Sequence, residues 1–261
     1  MIDTIVLTLQ QNEFVILDHN MFAPSTAGLY YFPYYRFGKN SYISCYQNGT
    51  ASELKNGIYK PRLTITRRLK RGGFDISLRI EFSIPKLLYG NNFDEVDNKD
   101  FEDIKTRLKQ TLLEMCVSTT LGFNLSNAQV SSIHYAKNII LRDYTTSGMI
   151  INEIAKLDLG KRLDINMRDY RNGGSIIKFH CNSFELTFYD KLKDLEQSKI
   201  SEGRSYENDN IIQYTLFDDF PKKEPFEVFR IEIRLNKRYK IESELIKYTC
   251  PLKLDQLYLV F

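Results

Sequence analysis

There is no tryptophan in this chain, and it also has no CxxC pair and no apolar run long enough to span a membrane; the last two absences each remove a class of protein. The four cysteines, Cys45, Cys116, Cys181 and Cys250, are sparse and widely spaced, so they read as reduced thiols of a cytoplasmic protein. The opening Met1-Ile2-Asp3-Thr4 carries no basic segment ahead of a long apolar one, which excludes a signal peptide. A large excess of either charge is also lacking. Lys and Arg number 36 against 33 Asp and Glu, and a net charge of +3 implies no polyanionic partner until the positions of the basic residues are known.

What remains is an ordinary globular composition, 43% hydrophobic and 26% charged, with aromatics at 13% supplied by Phe and Tyr. At 261 residues the chain buries a substantial core as one large domain or two closely packed small ones. A single domain over 1–261 is the first division; two pseudo-repeats, 1–158 and 159–261, are the alternative.

The stretch 175–195 organises the rest. It reads as a β-hairpin running into a helix, with Tyr189-Asp190-Lys191 at the strand's exit. Phe184, Leu186 and Phe188 alternate with Glu185, Thr187 and Tyr189, so Tyr189 is expected to point away from the core, toward solvent or a ligand. An amphipathic rim residue is the plain alternative for one such tyrosine.

Taken in order, residues 1–9 alternate like a strand, with Ile5, Leu7 and Leu9 on one side. Residues 14–50 are aromatic, loop-rich and weakly periodic, with Tyr30, Tyr31, Phe32, Tyr34, Tyr35 and Phe37 around Pro33; this cluster is either a lid over its own core or a stacking platform for unpaired bases. Residues 62–69 and 74–84 form a second hairpin, with Leu63, Ile65, Leu78, Ile80 and Phe82 on the apolar face and a basic tip at Arg67-Arg68-Leu69-Lys70-Arg71. A helix is expected over 100–117 with acidic residues at its start, a strand over 130–139, and a second helix over 145–157 capped by Ser147. A short strand over 163–168 leads to the turn Arg171-Asn172-Gly173-Gly174. After a short helix near 191–198, residues 199–225 read as a mobile polar excursion. The last clear strand is 226–235, with Phe229, Ile231, Ile233 and Leu235 inward, and a final helix begins near Lys240. The chain stops on the apolar run 257–261, which is either tied into the core or the front part of something longer. The expected class is α+β: a large, curved, mostly antiparallel sheet with amphipathic helices on one face and an exposed, arginine-rich polar face.

That polar face would carry Arg62, Arg68, Arg79, Glu81, His134, Lys178, His180, Glu185, Tyr189, Arg230, Glu232 and Arg234. A solvated sheet face usually scatters Thr, Ser and Lys. Arginines, acids, two histidines and a phenol together suit phosphodiester chemistry. Arginines hold phosphates, carboxylates with a histidine hold a divalent cation, and a tyrosine oxygen attacks in line.

Three stretches together resemble the gene II replication proteins of filamentous phages and, more distantly, the Rep_trans initiators of plasmids and conjugative transposons. The opening Met1-Ile2-Asp3-Thr4-Ile5-Val6-Leu7-Thr8-Leu9 is similar to the gene II start. Arg79-Ile80-Glu81-Phe82-Ser83-Ile84-Pro85-Lys86-Leu87-Leu88-Tyr89-Gly90-Asn91-Asn92 resembles that family's strand, Ser-x-x-Lys turn and Gly-x-Asn. Phe188-Tyr189-Asp190-Lys191, followed by Phe229-Arg230-Ile231-Glu232-Ile233-Arg234, looks like its tyrosine motif and later Arg-x-Glu strand. The resemblance implies a rolling-circle replication initiator: a metal-dependent DNA nicking-joining endonuclease, using Mg²⁺ or Mn²⁺, that holds the 5′ end as a phosphotyrosine. By the same resemblance Tyr189 is the nucleophile, and Glu232 and Asp190 are metal ligands. Asp190 faces opposite Tyr189 on an ideal strand, so either the strand bulges there or one of the two is not catalytic. His134 and Glu81 complete the proposed shell, although His134 stands where the family often has an acid. Arg62, Arg68, Arg79, Lys178, Lys191, Arg230 and Arg234 are candidate DNA contacts, with His180 and Glu185 as further candidates. Gene II proteins continue past the matched region, so the chain resembles a shorter relative or one lacking a C-terminal DNA-binding extension.

Gln213-Tyr214-Thr215-Leu216-Phe217 is similar to the peptide by which bacterial replication proteins dock on a sliding clamp, with Gln213, Leu216 and Phe217 as anchors; the alternative is a loop pinned to its own domain. The implied partners are double-stranded origin DNA, the displaced single strand, and the clamp and helicase of a bacterial host, in whose cytoplasm the protein would act. The alternatives are an origin-binding regulator without catalysis and a non-enzymatic, replication-associated interaction domain.

Overall fold

The computed structural model describes residues 1–31, 42–50, 52–53, 56–70, 73–91, 93–159, 165–171, 174–181, 184–195, 226–245 and 252–259. Its strands are β1 (Ile2–Gln10), β2 (Phe14–Ile16), β3 (Tyr42–Gln47), β4 (Arg62–Lys70), β5 (Gly73–Ser83), β6 (Val117–Thr119), β7 (Gln129–Leu141), β8 (Ile165–Arg171), β9 (Ile176–Cys181), β10 (Phe184–Asp190) and β11 (Glu227–Leu235). Its helices are α1 (Ala27–Tyr31), α2 (Ile84–Tyr89), α3 (Phe101–Glu114), α4 (Ser147–Lys156), α5 (Lys191–Leu195) and α6 (Arg238–Leu245).

Among the described residues, nine strands form one open antiparallel sheet in the order β3-β4-β5-β1-β7-β11-β10-β9-β8, and β2 pairs with β6 in a small second sheet. The period-2 alternation of the strands decides which side each residue takes. Ile5 lies between Phe82 and Ile133, and Ile133 between Ile5 and Leu235, so apolar side chains line up strand by strand on one face. The larger part of that face is buried with α2, α3 and α6, through Ile84, Ile104, Leu108, Leu112 and Ile241. Where β9, β10 and β11 continue the sheet, Ile151 of α4 packs on Ile177, Phe179 and Phe229 in a smaller cluster. Arg168 of β8 closes the end of α4, donating from its guanidinium to the carbonyls of Ala155 at 2.8 Å and Leu157 at 3.3 Å.

Several details differ from the sequence reading. Thr146, not Ser147, caps α4, its hydroxyl accepting the Met149 N–H at 3.2 Å. The stretch 14–50, read as loop-rich, contains β2, α1 and β3. The Ser-x-x-Lys segment is not a turn but the start of α2, with Pro85 in the first turn where a missing N–H costs nothing. Arg67 does not belong to the basic tip: it is buried, its guanidinium donates to the Leu29 carbonyl, and it lies 3.5 Å over the Phe74 ring. Cys45, Cys116 and Cys181 are free thiols, as expected. No helix among the described residues is long and apolar enough to cross a membrane.

The Gly90-Asn91 pair ends α2 and redirects the chain. Gly90 closes the helix in the left-handed region, φ 73°, with its N–H on the Lys86 carbonyl at 3.0 Å. The Asn91 side-chain oxygen then accepts the N–H groups of Phe93 and Asp94 at 3.0 and 3.1 Å, folding the backbone toward the sheet. Gly90→Ala should cost about 1 kcal/mol in urea denaturation and Gly90→Asn clearly less, because Asn tolerates this conformation. Equal losses for the two would show that the backbone angle is not what Gly90 supplies.

Candidate functional site

The polar face is assembled by register. His134 of β7 stands opposite Arg234 of β11, Arg234 opposite Glu185 of β10, and Glu185 opposite His180 of β9. The next row is Ala136, Glu232, Thr187 and Lys178, and the third is Asn138, Arg230, Tyr189 and Ile176. Hairpins distant in sequence therefore do place arginines, acids, histidines and the phenol side by side.

The centre of this arrangement is closed. Arg230 is 0% exposed, Glu232 5% and Tyr189 6%. Tyr189 donates its O–H to Glu232 Oε1 at 2.5 Å, and Arg230 Nε donates to the same oxygen at 2.9 Å. Arg234 holds the other oxygen, Oε2, at 2.8 Å. Arg230 also pairs with Asp3 at 3.0 Å and donates to Asn138 Oδ1 at 3.1 Å. Asn138 in turn donates to the Phe93 carbonyl at 3.3 Å, and the Lys191 ammonium sits 5.9 Å from the centre of the Phe93 ring. Helix α5, starting at Lys191, packs on β10 and β11 beside Tyr189.

Burial, and then the charge on Glu232, push the Tyr189 phenol well above its usual range. Burial alone would raise Glu232, but Arg230, Arg234 and the Tyr189 hydrogen bond outweigh it and hold the carboxyl well below the usual range. The stable form is thus a neutral phenol on a carboxylate flanked by two guanidinium groups. Burial and the neighbouring Arg234 lower His134, whose Nε2 lies 3.2 Å from Asn236 Oδ1.

Two expectations are overturned here. Tyr189 does not face solvent or a ligand; it is sealed under α5 and bound to Glu232, which opposes ionisation and in-line attack. The proposed metal shell does not assemble either. Both oxygens of Glu232 are taken by the arginines and the phenol. Asp190 is buried on the opposite side of its strand, where Oδ1 accepts the N–H groups of Leu192 and Lys193 at 3.0 and 3.1 Å and so caps α5. Glu81 lies on β5, three strands from Glu232, or about 14 Å at the usual strand spacing, and its carboxylate pairs with Arg79 at 3.3 Å. Among the described residues no group of three or more His, Cys, Asp or Glu could hold a metal ion. The four residues named for Mg²⁺ or Mn²⁺ therefore do not fit a single ion.

Of the candidate DNA contacts, Arg230 and Lys191 are buried inside this cluster. Lys178, His180 and Arg234 surround Glu185 at 3.3 to 3.5 Å and are partly exposed. Arg62, Arg68 and Arg79 lie on β4 and β5 on the same face, with Arg79 54% exposed. The peptide Gln213, Leu216, Phe217, the excursion 199–225 and the aromatic cluster beyond Tyr31 lie outside the described residues. The sequence reading missed Asp3, Asn138 and Phe93. An acid between Ile2 and Ile5 in an apolar strand was the signal for Asp3, since such an acid requires a buried cation.

No protein-family model and no curated protein matches this chain. Among solved structures, the di-domain ARO/CYC BexL from the BE-7585A biosynthetic pathway covers 84% of this chain and 69% of its own at 8% identity and a TM-score of 0.19, a likeness too slight to carry any argument.

The shifts of Tyr189 and Glu232 act at opposite ends of the pH scale. The carboxyl is depressed, so its stabilising contribution is present at neutral pH and is lost as pH falls below about 4 and through the folded value. The phenol is raised, so stability falls as pH climbs above about 10, where the unfolded chain ionises first. In urea titrations Tyr189→Phe should cost about 2 kcal/mol at neutral pH and flatten the alkaline limb, while Glu232→Gln should cost about 3–5 kcal/mol and flatten the acid limb. Unchanged limbs in both variants would contradict the assignment.

Proposed function

We propose that this chain is a rolling-circle replication initiator that binds origin DNA on the polar sheet face and nicks and rejoins one strand. One observation carries this reading: every stretch that resembles the gene II proteins either contributes to a single connected cluster or positions a residue that does. The opening strand supplies Asp3. The Gly90-Asn91 turn sets Phe93, which Asn138 and Lys191 hold. The tyrosine motif supplies Tyr189 and Lys191, and the Arg-x-Glu strand supplies Arg230, Glu232 and Arg234. The opening strand and the Arg-x-Glu strand meet at the Arg230 guanidinium, the tyrosine motif joins them through Glu232, and the Arg79–Asn92 stretch reaches it through Phe93 and Asn138; this convergence supports that family's architecture better than any one motif does.

On this reading Tyr189 is part of the scaffold. The phosphotyrosine is carried by another tyrosine. Among the described residues Tyr42, Tyr89, Tyr144, Tyr170 and Tyr239 are exposed; burial of the Tyr89 phenol and its hydrogen bond to Asp100 push it up to about 12, which opposes its ionisation. The burial of Tyr189 favours a second reading, an origin-binding regulator that does not cleave.

Supercoiled origin DNA incubated with the protein and Mg²⁺ should yield open circles and a covalent protein–DNA adduct. Peptide mapping of the adduct should place the DNA on a tyrosine other than Tyr189, and Tyr189→Phe should still form it. Origin binding without any adduct selects the regulator. Loss of the adduct in a folded Tyr189→Phe would overturn the scaffold role.

A further inference from the structure

The half of the polar face away from the closed cluster is built differently. On edge strand β3, Tyr42, Ser44 and Tyr46 alternate with Cys45 and Gln47, which are buried. The Ser44 and Thr66 hydroxyls meet at 2.9 Å, which places this row on the same side as Thr64, Thr66 and Arg68 of β4. Tyr42 is 49% exposed and stands directly opposite Arg68. Tyr46 stands opposite Thr64, which in turn faces Arg79, and the Arg62 guanidinium lies 5.5 Å over the Tyr46 ring. Two aromatic rings four residues apart on one strand are separated by about 13 Å. Arginines and hydroxyls fill the surface beside them.

We propose that Tyr42 and Tyr46, with Arg62, Arg68 and Arg79, form a stacking platform for single-stranded nucleic acid. Unpaired bases lie on the Tyr42 ring and on the Arg62 guanidinium that covers the Tyr46 ring, and Arg68 and Arg79 take the phosphates. A duplex fits poorly, because its bases present no free ring face to a sheet surface, whereas any unpaired base does. The charge balance agrees: Arg62 stands opposite Glu81, Arg68 opposite Asp75, and Arg79 pairs with Glu81 at 3.3 Å, so three arginines share two acids, a modest excess that suits a short length of one strand. The proposal rests on the replication reading for its ligand, which is then the displaced strand.

The test is fluorescence anisotropy with a labelled oligothymidylate over a range of salt, using the full chain. Tyr42→Ala should weaken binding roughly 5- to 100-fold with the salt slope unchanged. Tyr42→Phe should restore it, since the ring and not the hydroxyl is required. Arg68→Ala should reduce the slope by about 0.7, the value for one phosphate contact on a single strand. A duplex of equal length should compete weakly. Tyr42 is exposed, so its variants should fold; Tyr46→Ala is a second reading, checked by circular dichroism. Unchanged affinity in Tyr42→Ala, or equal affinity for duplex, overturns the platform. Nicking is assayed separately: a chain that never nicks but shows this pattern retains the platform and loses only the nicking reading.

Discussion

A guanidinium with no access to water governs this structure. A fully buried charge is tolerated only when its partners are close and correctly aimed. Arg230 finds Asp3 on β1, Asn138 on β7, and Glu232 on its own strand, and Glu232 brings in Tyr189 from β10 and Arg234. The middle strands of the sheet are thus tied by polar contacts on one face as well as by apolar packing on the other. Removing one partner would leave the remaining charges buried without compensation, so the group behaves as a unit.

This constraint divides the polar face into two parts. At its centre, near α5 and Phe93, side chains that look reactive in isolation are committed to one another. Toward β3, β4 and β5 the arginines stand among hydroxyls and tyrosines with access to solvent. Chemistry and recognition are more easily placed on the second part than on the first. Beside the closed cluster, on β7, β11, β10 and β9, lies the row His134, Arg234, Glu185 and His180, which is partly open and in which Arg234 pairs with Glu185.

Much of the fold was legible because strand alternation is local. Phe184, Leu186 and Phe188, like Phe229, Ile231 and Ile233, mark one face without ambiguity, and Tyr189 and Glu232 do lie together on the other, as their parity requires. Depth was not legible. Parity separates two faces but does not say which is covered, and Tyr189 is closed in by Glu232 and Arg230 of β11 and by α5, which sequence alternation does not place. Asp190 illustrates the same limit. Its neighbour in sequence suggested catalysis, while its place at the strand's end made it a helix cap. Edge strand β3 escaped notice because Tyr42, Ser44 and Tyr46 alternate with Ile43, Cys45 and Gln47, a contrast weak in hydrophobicity though clear in structure.

The central claim is that acids from separate stretches converge on Arg230. A double-mutant cycle on Asp3→Asn and Glu232→Gln, read by urea denaturation, tests it most directly. Convergence predicts a coupling of about 1 kcal/mol or more between the two positions; additivity within about 0.5 kcal/mol would mean that the two acids do not share the guanidinium.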